Sequence, residues 1–380
     1  MKVIISADPI KYPLTGIGRY TYELASRLNK SPEISELLFL RGRSLSHQIP
    51  ALGKNTSVSR SNSGIKKWVQ SNPLATEMYR LTAPWLKTFA IRKHPDAIYH
   101  GPNFYLPPHV DRCVATFHDL SVFTWPQCHP AERVRFMQKE LLLTVKRASI
   151  LITDSEFTRK ELASYFNLPL SKVYTAQLAS SGEFYPRDMA AINQAVQKYG
   201  LKANHYCLFT GSIEPRKNIA TLLDAYERLP LALRLDCPLV ISGFKGWSSV
   251  ALHQRFTQAQ AAGWLRYLGY ADALDLPYLF AGARSFLFPS LYEGFGLPVL
   301  EAMASGIPVV CSNSSSLPEV VGDCALMCAP LDVESLTGLI QKSIEDDIWR
   351  GQAIINGINR AKQFSWQRCA QETIHAYQQV

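Results

Sequence analysis

Short apolar segments rich in β-branched residues alternate along the whole chain with stretches of helical periodicity. The first segment is VIISA at residues 3–7, and later ones include ILITD, CLFTG, LVISG and SFLFP. Between the segments, apolar residues recur three and four positions apart, as at Ile17, Tyr20, Leu24 and Leu28. These patterns predict strands and amphipathic helices, and their regular alternation is typical of an α/β fold with doubly wound parallel sheets.

The predicted strands are too many for one sheet, and a chain of 380 residues is long enough for two domains. We place the boundary in SSGEFYPRD, where Gly182 and Pro186 follow a strand-like stretch. This predicts two Rossmann-like domains, an N-terminal one at 1–183 and a C-terminal one at 184–365. Ligands of such sheets bind beyond the carboxyl ends of the strands, so we expect the site in the cleft where the domains face each other.

Cysteine usage and hydropathy favour a cytoplasmic protein. The eight cysteines contain no CxxC pair, which is typical of reduced thiols that mostly fill the core. The start MKVIISADPI predicts a strand rather than a secretion signal. No apolar run reaches the ~18 residues that a membrane-spanning helix needs.

Positive charge is concentrated in the predicted N-terminal domain. Residues 1–183 carry 24 Lys and Arg against 14 Asp and Glu, whereas residues 184–380 carry 16 against 17. Basic surface suits nucleic acid, anionic lipid or an anionic substrate, and a solvated face without a partner is the alternative.

The stretch SLYEGFGLPVLEAMASGIPVV places two glutamates on either side of a Gly-Phe-Gly turn that opens a helix. Glycines let backbone amides approach a ligand, and a helix N-terminus attracts anions and polar oxygens. Glu301 could accept hydrogen bonds from two ribose hydroxyls, and Glu293 could hold a second set of hydroxyls. A ligand that joins a sugar, a diphosphate and a ribose would satisfy both, whereas the alternative is an acidic first turn that only complements the helix dipole.

The stretch FTGSIEPRKNI places two cations between a strand and a helix that we predict Asn218 to cap. Arg216 offers a planar fork and Lys217 a mobile point charge, so together they predict a diphosphate site. Two exposed loop cations are the alternative.

Two weaker motifs lie in the first half of the chain. YPLTGIGRY sets Gly16 and Gly18 at the start of the first helix, like a truncated phosphate-binding turn that lacks the third glycine. VATFHDLSVF sets His118 and Asp119 after a strand and so facing the cleft. His118 could donate to a sugar hydroxyl or lie beside the reacting carbon, and a purely structural histidine is the alternative.

Taken together, GIGRY, HD, TDSEFTR, PRKN, EGFGLPVLE and SSSLPEVVGDCAL resemble the motifs of GT-B glycosyltransferases of family 4, in the same order and over nearly the whole chain. The Glu-x7-Glu signature EGFGLPVLE is the strongest element. Members transfer a sugar from a nucleotide donor with retention of configuration and without a metal, and no Asp-x-Asp occurs here. Many members have an arginine at the position of Ser212, so Arg216 would supply that cation.

The resemblance is nearest to bacterial mannosyltransferases that build O-antigen polysaccharide from GDP-mannose, and it implies a role for each motif residue. The implied catalytic residues are His118, Glu293, Arg216 and Lys217. The implied donor-binding residues are Gly16, Gly18, Arg216, Lys217, Glu293, Phe295, Gly296, Leu297 and Glu301. No metal or cofactor beyond the nucleotide sugar is expected. A front-face substitution is favoured over a covalent intermediate on Glu293, because no nucleophile pairs with a general acid across the sugar.

The resemblance also implies a polyprenyl-linked saccharide acceptor for the domain at 1–183, against which a C-terminal helix at about 366–380 would pack. Residues 63–94 combine aromatic and basic side chains, which suits an anionic membrane surface, whereas two core helices are the alternative. These side chains are Trp68, Tyr79, Trp85, Phe89, Lys66, Lys67, Arg80, Lys87, Arg92 and Lys93. We therefore expect a cytoplasmic enzyme peripherally attached to the inner face of the membrane, beside other polysaccharide-assembly enzymes.

Other functions remain compatible with the sequence. No residue distinguishes guanine from uracil or mannose from glucose, so a family 4 transferase with a UDP-sugar donor is one alternative. A nucleotide-sugar epimerase of the same fold and a sugar-binding protein without catalysis are two more. Nucleic acid is not expected as a partner, because the aromatic residues of the basic half follow no nucleic-acid motif.

Overall fold

Thirteen strands form the framework of the computed structural model, which describes residues 1–14, 16–50, 85–247 and 250–380. They are β1 (Lys2–Ser6), β2 (Glu36–Arg41), β3 (Ser44–Ser46), β4 (Ile98–Gly101), β5 (Cys113–Phe117), β6 (Ile150–Thr153), β7 (Val173–Thr175), β8 (Cys207–Thr210), β9 (Leu239–Ser242), β10 (Leu265–Gly269), β11 (Ser285–Phe288), β12 (Val309–Ser312) and β13 (Leu326–Cys328).

Helices connect most of these strands. They are α1 (Gly16–Leu28), α2 (Ser121–Thr124), α3 (Ala131–Arg147), α4 (Glu156–Tyr165), α5 (Met189–Gln197), α6 (Ile219–Glu227), α7 (Leu231–Asp236), α8 (Val250–Ala261), α9 (Leu276–Ala281), α10 (Leu297–Ala304), α11 (Leu317–Val321), α12 (Val333–Glu345), α13 (Asp347–Ala361) and α14 (Trp366–Tyr377). Residues 85–91 are helical as well.

The strands form two sheets, which confirms the predicted doubly wound α/β architecture. The first sheet has the order β3-β2-β1-β4-β5-β6-β7 and the second has the order β10-β9-β8-β11-β12-β13. All pairings are parallel except that of β2 with β3. These two strands were not predicted: β2 is a continuous buried run without alternation, and β3 is a short edge strand.

The strand order reverses once in each sheet, between β1 and β4 and between β8 and β11. Loops that leave neighbouring strands in opposite directions open a crevice at such a point, where ligands of these sheets bind. The segment containing Gly16 follows β1, the loop with Arg216 and Lys217 follows β8, and the loop with Glu293 follows β11. Chain topology alone therefore brings the predicted donor-binding loops of the second sheet together.

The chain passes from the first sheet to the second between Thr175 and Cys207, and the predicted boundary at 183/184 lies in that connection. It returns at the end, where α14 packs against α1 and β7. The hydroxyl of Tyr377 lies 2.7 Å from Nδ1 of His100, and Nε1 of Trp366 donates to the carbonyl of Ser180 at 3.2 Å. The last helix thus ties the end of the chain to the first sheet.

All eight cysteines are free, and seven of them are buried, as predicted for core-filling thiols. Among the residues that the structure describes, no helix has the length and apolar character needed to cross a membrane.

Candidate active site

Two cations and two carboxylates form one buried cluster where β8 and β11 end. Nζ of Lys217 donates to Oε1 of Glu293 at 2.6 Å, and a guanidinium nitrogen of Arg216 donates to Oε2 of Glu293 at 2.9 Å. The other terminal nitrogen of Arg216 donates to Glu214 at 2.8 Å. Each of the four side chains is at most 12% exposed. The predicted cations therefore meet one another through Glu293, and the formal charge of the cluster is zero.

The cluster keeps Glu293 ionised. Burial alone would raise the pKa of this carboxyl, but the charges of Arg216 and Lys217 lower it to about 2. Arg216 is fixed further because it donates to the carbonyl of Tyr292 at 2.6 Å. The positive groups are thus oriented before any ligand arrives, which is the arrangement that stabilises developing negative charge.

Three successive serines hold the loop that carries Glu293. The backbone N–H of Glu293 donates to Oγ of Ser315 at 2.8 Å, and the hydroxyl of Ser316 donates to the carbonyl of Glu293 at 2.9 Å. The hydroxyl of Ser314 donates to the carbonyl of Leu291 at 3.0 Å. Sequence reasoning gave these serines no role, although their place directly after β12, the neighbour of β11, is a signal that could have found them.

Glu301 lies in the second turn of α10, which begins after Gly296 in a left-handed conformation with φ of 102°. It is only 8% exposed. No hydrogen bond or ion pair reaches its carboxylate from the described part of the chain. Burial raises its pKa to about 8, and Arg19, which opposes this, pairs with Glu183 at 3.4 Å. Among the described residues, the carboxyl of Glu301 therefore has no hydrogen-bond donor.

His118 follows β5, and both of its ring nitrogens have partners in the first domain. Nδ1 lies 2.7 Å from a carboxylate oxygen of Asp154, and Nε2 lies 2.9 Å from the carbonyl of Pro102. Burial would lower the pKa of His118, but the charge of Asp154 raises it above its ordinary value. With two acceptors, the ring donates from both nitrogens, as an imidazolium does.

The backbone of His118 packs closely against a loop of the second domain. A Cβ atom at Gly294 would lie 1.6 Å from the carbonyl oxygen of His118 and 3.0 Å from Cβ of Asp119. Only glycine fits at this position while the two loops are in contact. Gly294, the first glycine of the Glu-Gly-Phe-Gly turn, therefore allows the two domains to contact each other across the cleft.

The two glycines of the first helix differ in surroundings. A Cβ at Gly16 would meet no atom of the described residues within 4 Å, and Gly16 lines the cleft at the start of α1. A Cβ at Gly18 would lie 2.8 Å from the carbonyl oxygen of Pro9. Gly18 allows α1 to pack closely on the loop after β1, and it lines a separate cleft of about 320 Å³ beside Asp8 and Lys87.

A cavity of about 290 Å³ between the domains brings most of the predicted site residues together. Those that line it are Gly16, His118, Arg216, Glu293, Phe295, Gly296 and Leu297. Lys217 lies behind Glu293 with its Nζ 4.8 Å from the ring centroid of Phe288. Three predicted site residues do not line this cavity: Gly18, Lys217 and Glu301.

The cavity also contains a hydrogen-bond chain that sequence reasoning missed. The hydroxyl of Ser121 donates to Asp119 at 2.7 Å and lies 2.9 Å from Nε2 of His129. From the second domain, Trp247 packs beside His129 and donates its indole N–H to the carbonyl of Cys128 at 2.6 Å. Asp119 was predicted to face the cleft, but its hydrogen bond with Ser121 and the contact of His129 with Trp247 were not predicted.

Asn218 occupies the residue before α6 but does not cap it with its side chain, so this detail of the prediction was wrong. Its backbone is left-handed, with φ of 56°. Its amide nitrogen donates instead to the carbonyls of Pro289 and Pro330 at 2.9 and 2.6 Å. Asn218 therefore joins the loops after β8, β11 and β13.

Comparison with known proteins agrees with this geometry. Residues 192–360 match the family described as glycosyl transferases group 1. The chain is 48% identical over 378 residues to the O-antigen chain mannosyltransferase B of Escherichia coli, a match that covers 99% of each protein. It is 32% identical over 254 residues to the serotype-specific mannosyltransferase WbdA of Escherichia coli, which covers 65% of this chain and 31% of that one.

Solved structures of low sequence identity share the fold. HepE of Anabaena in complex with UDP-glucose superimposes with a TM-score of 0.73 at 17% identity over 100% of both chains. WaaG, a glycosyltransferase involved in lipopolysaccharide biosynthesis, superimposes with a TM-score of 0.68 at 16% identity over 98% of both. With a full-length relative at 48% identity, the chain belongs to the group 1 glycosyl transferases, family 4 of the GT-B fold.

Proposed function

We propose that the protein is a retaining mannosyltransferase that moves mannose from GDP-mannose onto a polyprenyl-linked saccharide in O-antigen polysaccharide assembly. The observation that carries the transfer chemistry is the buried cluster of Arg216, Lys217 and Glu293 beside the start of α10. Mannose and the O-antigen acceptor are supported by the name of the Escherichia coli relative that is 48% identical over the whole chain.

In this proposal the donor diphosphate lies against Arg216 and Lys217, with the backbone amides of Phe295, Gly296 and Leu297 nearby. As the bond between the anomeric carbon and the phosphate oxygen breaks, negative charge grows on the leaving phosphate, where the cations and amides stabilise it. The acceptor hydroxyl attacks from the same face and gives its proton to that phosphate oxygen. His118 would contribute its backbone carbonyl at the sugar, because both ring nitrogens are engaged.

The pairing of Glu293 supports this front-face route over a covalent intermediate. Each carboxylate oxygen accepts a hydrogen bond from a buried cation. These bonds weaken the carboxylate as a nucleophile, whereas the second lone pair of each oxygen remains available to a hydroxyl group. Glu293 would instead orient the two cations and a hydroxyl of the donor sugar.

A donor panel tests the proposal directly. The protein is incubated with GDP-mannose, UDP-glucose, ADP-glucose or dTDP-glucose, with and without a lipid-linked mannose acceptor, and the products are separated. Mannosylated acceptor from GDP-mannose alone, with an α-linkage from the α-donor, is expected. Transfer from a UDP-sugar contradicts the donor assignment, inversion contradicts retention, and a new nucleotide sugar formed without acceptor indicates the epimerase.

We also propose that transfer needs no metal ion, because Arg216 and Lys217 meet the charge of the diphosphate. EDTA should leave the initial rate unchanged. Loss of activity that magnesium or manganese restores would overturn this part of the proposal.

The N-terminal domain is proposed to hold the acceptor and to meet the inner face of the cytoplasmic membrane, beside other polysaccharide-assembly enzymes. Trp85 and Phe89 are 49% and 62% exposed on the helical residues 85–91, and Arg92 and Lys93 follow them on the surface. Lys87 pairs with Asp8, and the remaining membrane candidates, from Lys66 to Arg80, lie outside the described residues. Exposed aromatic and basic side chains on one segment are typical of membrane-surface binding.

Charge reversal at Lys66, Lys67, Arg92 and Lys93 tests the membrane contact. Each cation near an anionic surface contributes about 1 kcal/mol, so the reversed protein should no longer sediment with phosphatidylglycerol vesicles. Transfer to a short water-soluble acceptor should be retained. If the reversed protein still sediments, or the wild type never does, this segment does not bind membrane.

A further inference from the structure

Two motifs that contain none of the proposed donor-binding residues meet each other across the cleft. TDSEFTR comprises the end of β6 and the start of α4 in the first domain. SSSLPEVVGDCAL comprises α11 and its flanking residues in the second domain. Two backbone N–H groups of the first motif donate across the cleft to the side chain of Glu319 in the second.

The carboxylate of Glu319 covers the N-terminus of α4. One oxygen accepts the backbone N–H of Glu156 at 2.9 Å and the side-chain amide of Gln177 at 2.8 Å. The other oxygen accepts the backbone N–H of Phe157 at 3.0 Å. The third N–H of the helix, from Thr158, is capped by Ser155 of the same domain at 3.1 Å. Thus the first two N–H groups of a helix in one domain bind an anion from the other domain, which the helix dipole favours.

The same helix end also holds the loop that carries Glu293. The hydroxyls of Ser155 and Thr158 donate to the carbonyl of Gly294 at 2.6 and 3.0 Å. Gly294 is the residue whose Cα packs on the carbonyl of His118. The loop is tied once more by Tyr292, whose hydroxyl accepts the N–H of Leu120 at 3.0 Å and donates to the carboxylate of Glu161.

We propose that Glu319 is a positioning residue for glycosyl transfer, which clasps α4 to the second domain and so holds the Gly294 loop against His118 in the closed cleft. Every bond of this clasp is polar and crosses between the domains. Opening the cleft exposes the same N–H and carboxylate groups to water, which replaces their hydrogen bonds. The clasp can therefore form and break in each catalytic cycle, and closure would complete the site around the bound donor.

The clasp predicts a separation between binding and turnover. Glu319 touches none of Arg216, Lys217 or Glu301, so the second domain should still bind the nucleotide when the clasp is removed. The rate of transfer should fall, because the acceptor-binding and donor-binding domains would no longer be held in a fixed relative position. A displacement of about 1 Å can reduce a rate by about 100-fold.

The test compares Glu319→Gln with the matched variant Glu334→Gln. Glu334 lies in the first turn of α12, exposed and within the second domain. In Glu319→Gln one carboxylate oxygen becomes an NH₂ group, which cannot accept a hydrogen bond from a backbone N–H of α4. The variant therefore loses one of the two hydrogen bonds to the helix N-terminus. The kcat of this variant should fall on the order of 10- to 100-fold. Its dissociation constant for the nucleoside diphosphate should stay close to that of the wild type.

Small-angle scattering with nucleotide bound should show a larger radius of gyration for Glu319→Gln than for the wild type. The control Glu334→Gln should match the wild type in kcat, in the dissociation constant and in the radius of gyration.

A second variant keeps the inference falsifiable if Glu319→Gln folds poorly. Thr158→Val removes the hydroxyl that donates to the carbonyl of Gly294 and nearly keeps the shape of the side chain. It should also lower kcat. Combined with Glu319→Gln, its effect should be less than additive, because both act through one closure. Normal kcat in folded Glu319→Gln, or an equal loss of nucleotide affinity, would overturn the inference.

The inference rests on the proposed transfer only for its turnover measurement. If the wild type uses another nucleotide sugar, the donor proposal fails while the same kcat comparison is made with that donor. If the wild type transfers no sugar, the scattering comparison alone decides, and equal radii of gyration for wild type and Glu319→Gln would disprove the clasp.

Discussion

Glu293 and Glu301 stand eight residues apart in one loop and helix, at similar depth, yet their electrostatic surroundings are opposite. They are 6% and 8% exposed. Glu293 binds two cations, and its pKa is about 2, whereas no described residue binds the carboxylate of Glu301, and burial raises its pKa to about 8. The same side chain at the same burial is thus ionised in one place and protonated at neutral pH in the other.

The difference teaches how the two ends of the proposed donor site work. At the Glu293 end, the protein has already assembled its charges, so no reorganisation is needed when a phosphate leaves. At the Glu301 end, the protein provides an acceptor and leaves the donors to the ligand, which we expect to be two ribose hydroxyls. We therefore expect one end to act in the chemical step and the other in binding, and substitutions at the two ends should separate these roles.

The largest effect is expected from Glu293→Gln. It leaves Arg216 and Lys217 buried side by side without the carboxylate between them, and breaking a buried ion pair in this way costs about 3–5 kcal/mol. Urea unfolding at pH 7 measures the loss. Glu214→Gln is the control, because it removes only the second partner of Arg216 and should cost less. If Glu293→Gln unfolds at the urea concentration of the wild type, the cluster does not stabilise the fold.

Lys217→Met should act mainly on turnover. Methionine fills the space of the lysine side chain beside Phe288 but removes the charge that, in our proposal, meets the leaving phosphate. At saturating donor, kcat should fall by about 100- to 1,000-fold, with a smaller change in donor affinity. Arg216→Ala should act in the same direction. Normal turnover in both variants would show that the cations serve only Glu293.

Glu301→Gln should act on binding instead. Ribose hydroxyls that donate to Glu301 favour its ionised form, so we expect the carboxyl to lose its proton when the ligand binds. Hydrogen bonds to such a charged acceptor contribute about 1.5–3 kcal/mol, so affinity for the nucleoside diphosphate should fall roughly 10- to 100-fold. Calorimetry measures the affinity of both proteins for the nucleoside diphosphate and for its 2′-deoxy form. The wild type should bind the deoxy ligand more weakly, and the variant should no longer distinguish the two. A variant that binds both ligands like the wild type would remove Glu301 from the site.

The sequence predicted the two sheets and the meeting of Arg216, Lys217 and Glu293, since periodicity and strand order determine both. It did not predict which groups pair. Two cations after one strand indicate an anion, but only the folded backbone shows that Glu293 already satisfies them. Likewise, His118 was predicted at the cleft, whereas the engagement of its ring by Asp154 depends on contacts 36 residues apart in the chain.

The bonds between the domains were also beyond sequence reasoning. Glu319 and Glu156 are 163 residues apart, and nothing in either local pattern indicates that the carboxylate of one meets the N–H of the other. Motif reasoning worked where one loop follows one strand. It failed where a side chain finds its partner through the packing of two domains.

The last effect, spread over several pH units, is a dependence of stability on pH that should distinguish the two glutamates. The folded-state pKa of Glu301 is about 8 against an ordinary value of 4.5, so between these values the folded protein keeps a proton that the unfolded chain has lost. Stability contributed by this proton is present below pH 4.5 and is lost as the pH rises toward 8, with a slope of at most ~1.4 kcal/mol per pH unit. Glu293 has the opposite sign: its pKa of about 2 stabilises the fold above pH 4.5, and this is lost only as the pH falls toward 2. The pH range in which Glu293 affects stability therefore does not overlap that of Glu301.

Urea unfolding of the ligand-free wild type and of Glu301→Gln at pH 5, 6, 7 and 8 measures this dependence. As the pH rises, the free energy of unfolding of the variant should increase relative to that of the wild type. Parallel curves would mean that Glu301 is already ionised in the free protein, and the contrast with Glu293 would then have to come from the ligand alone.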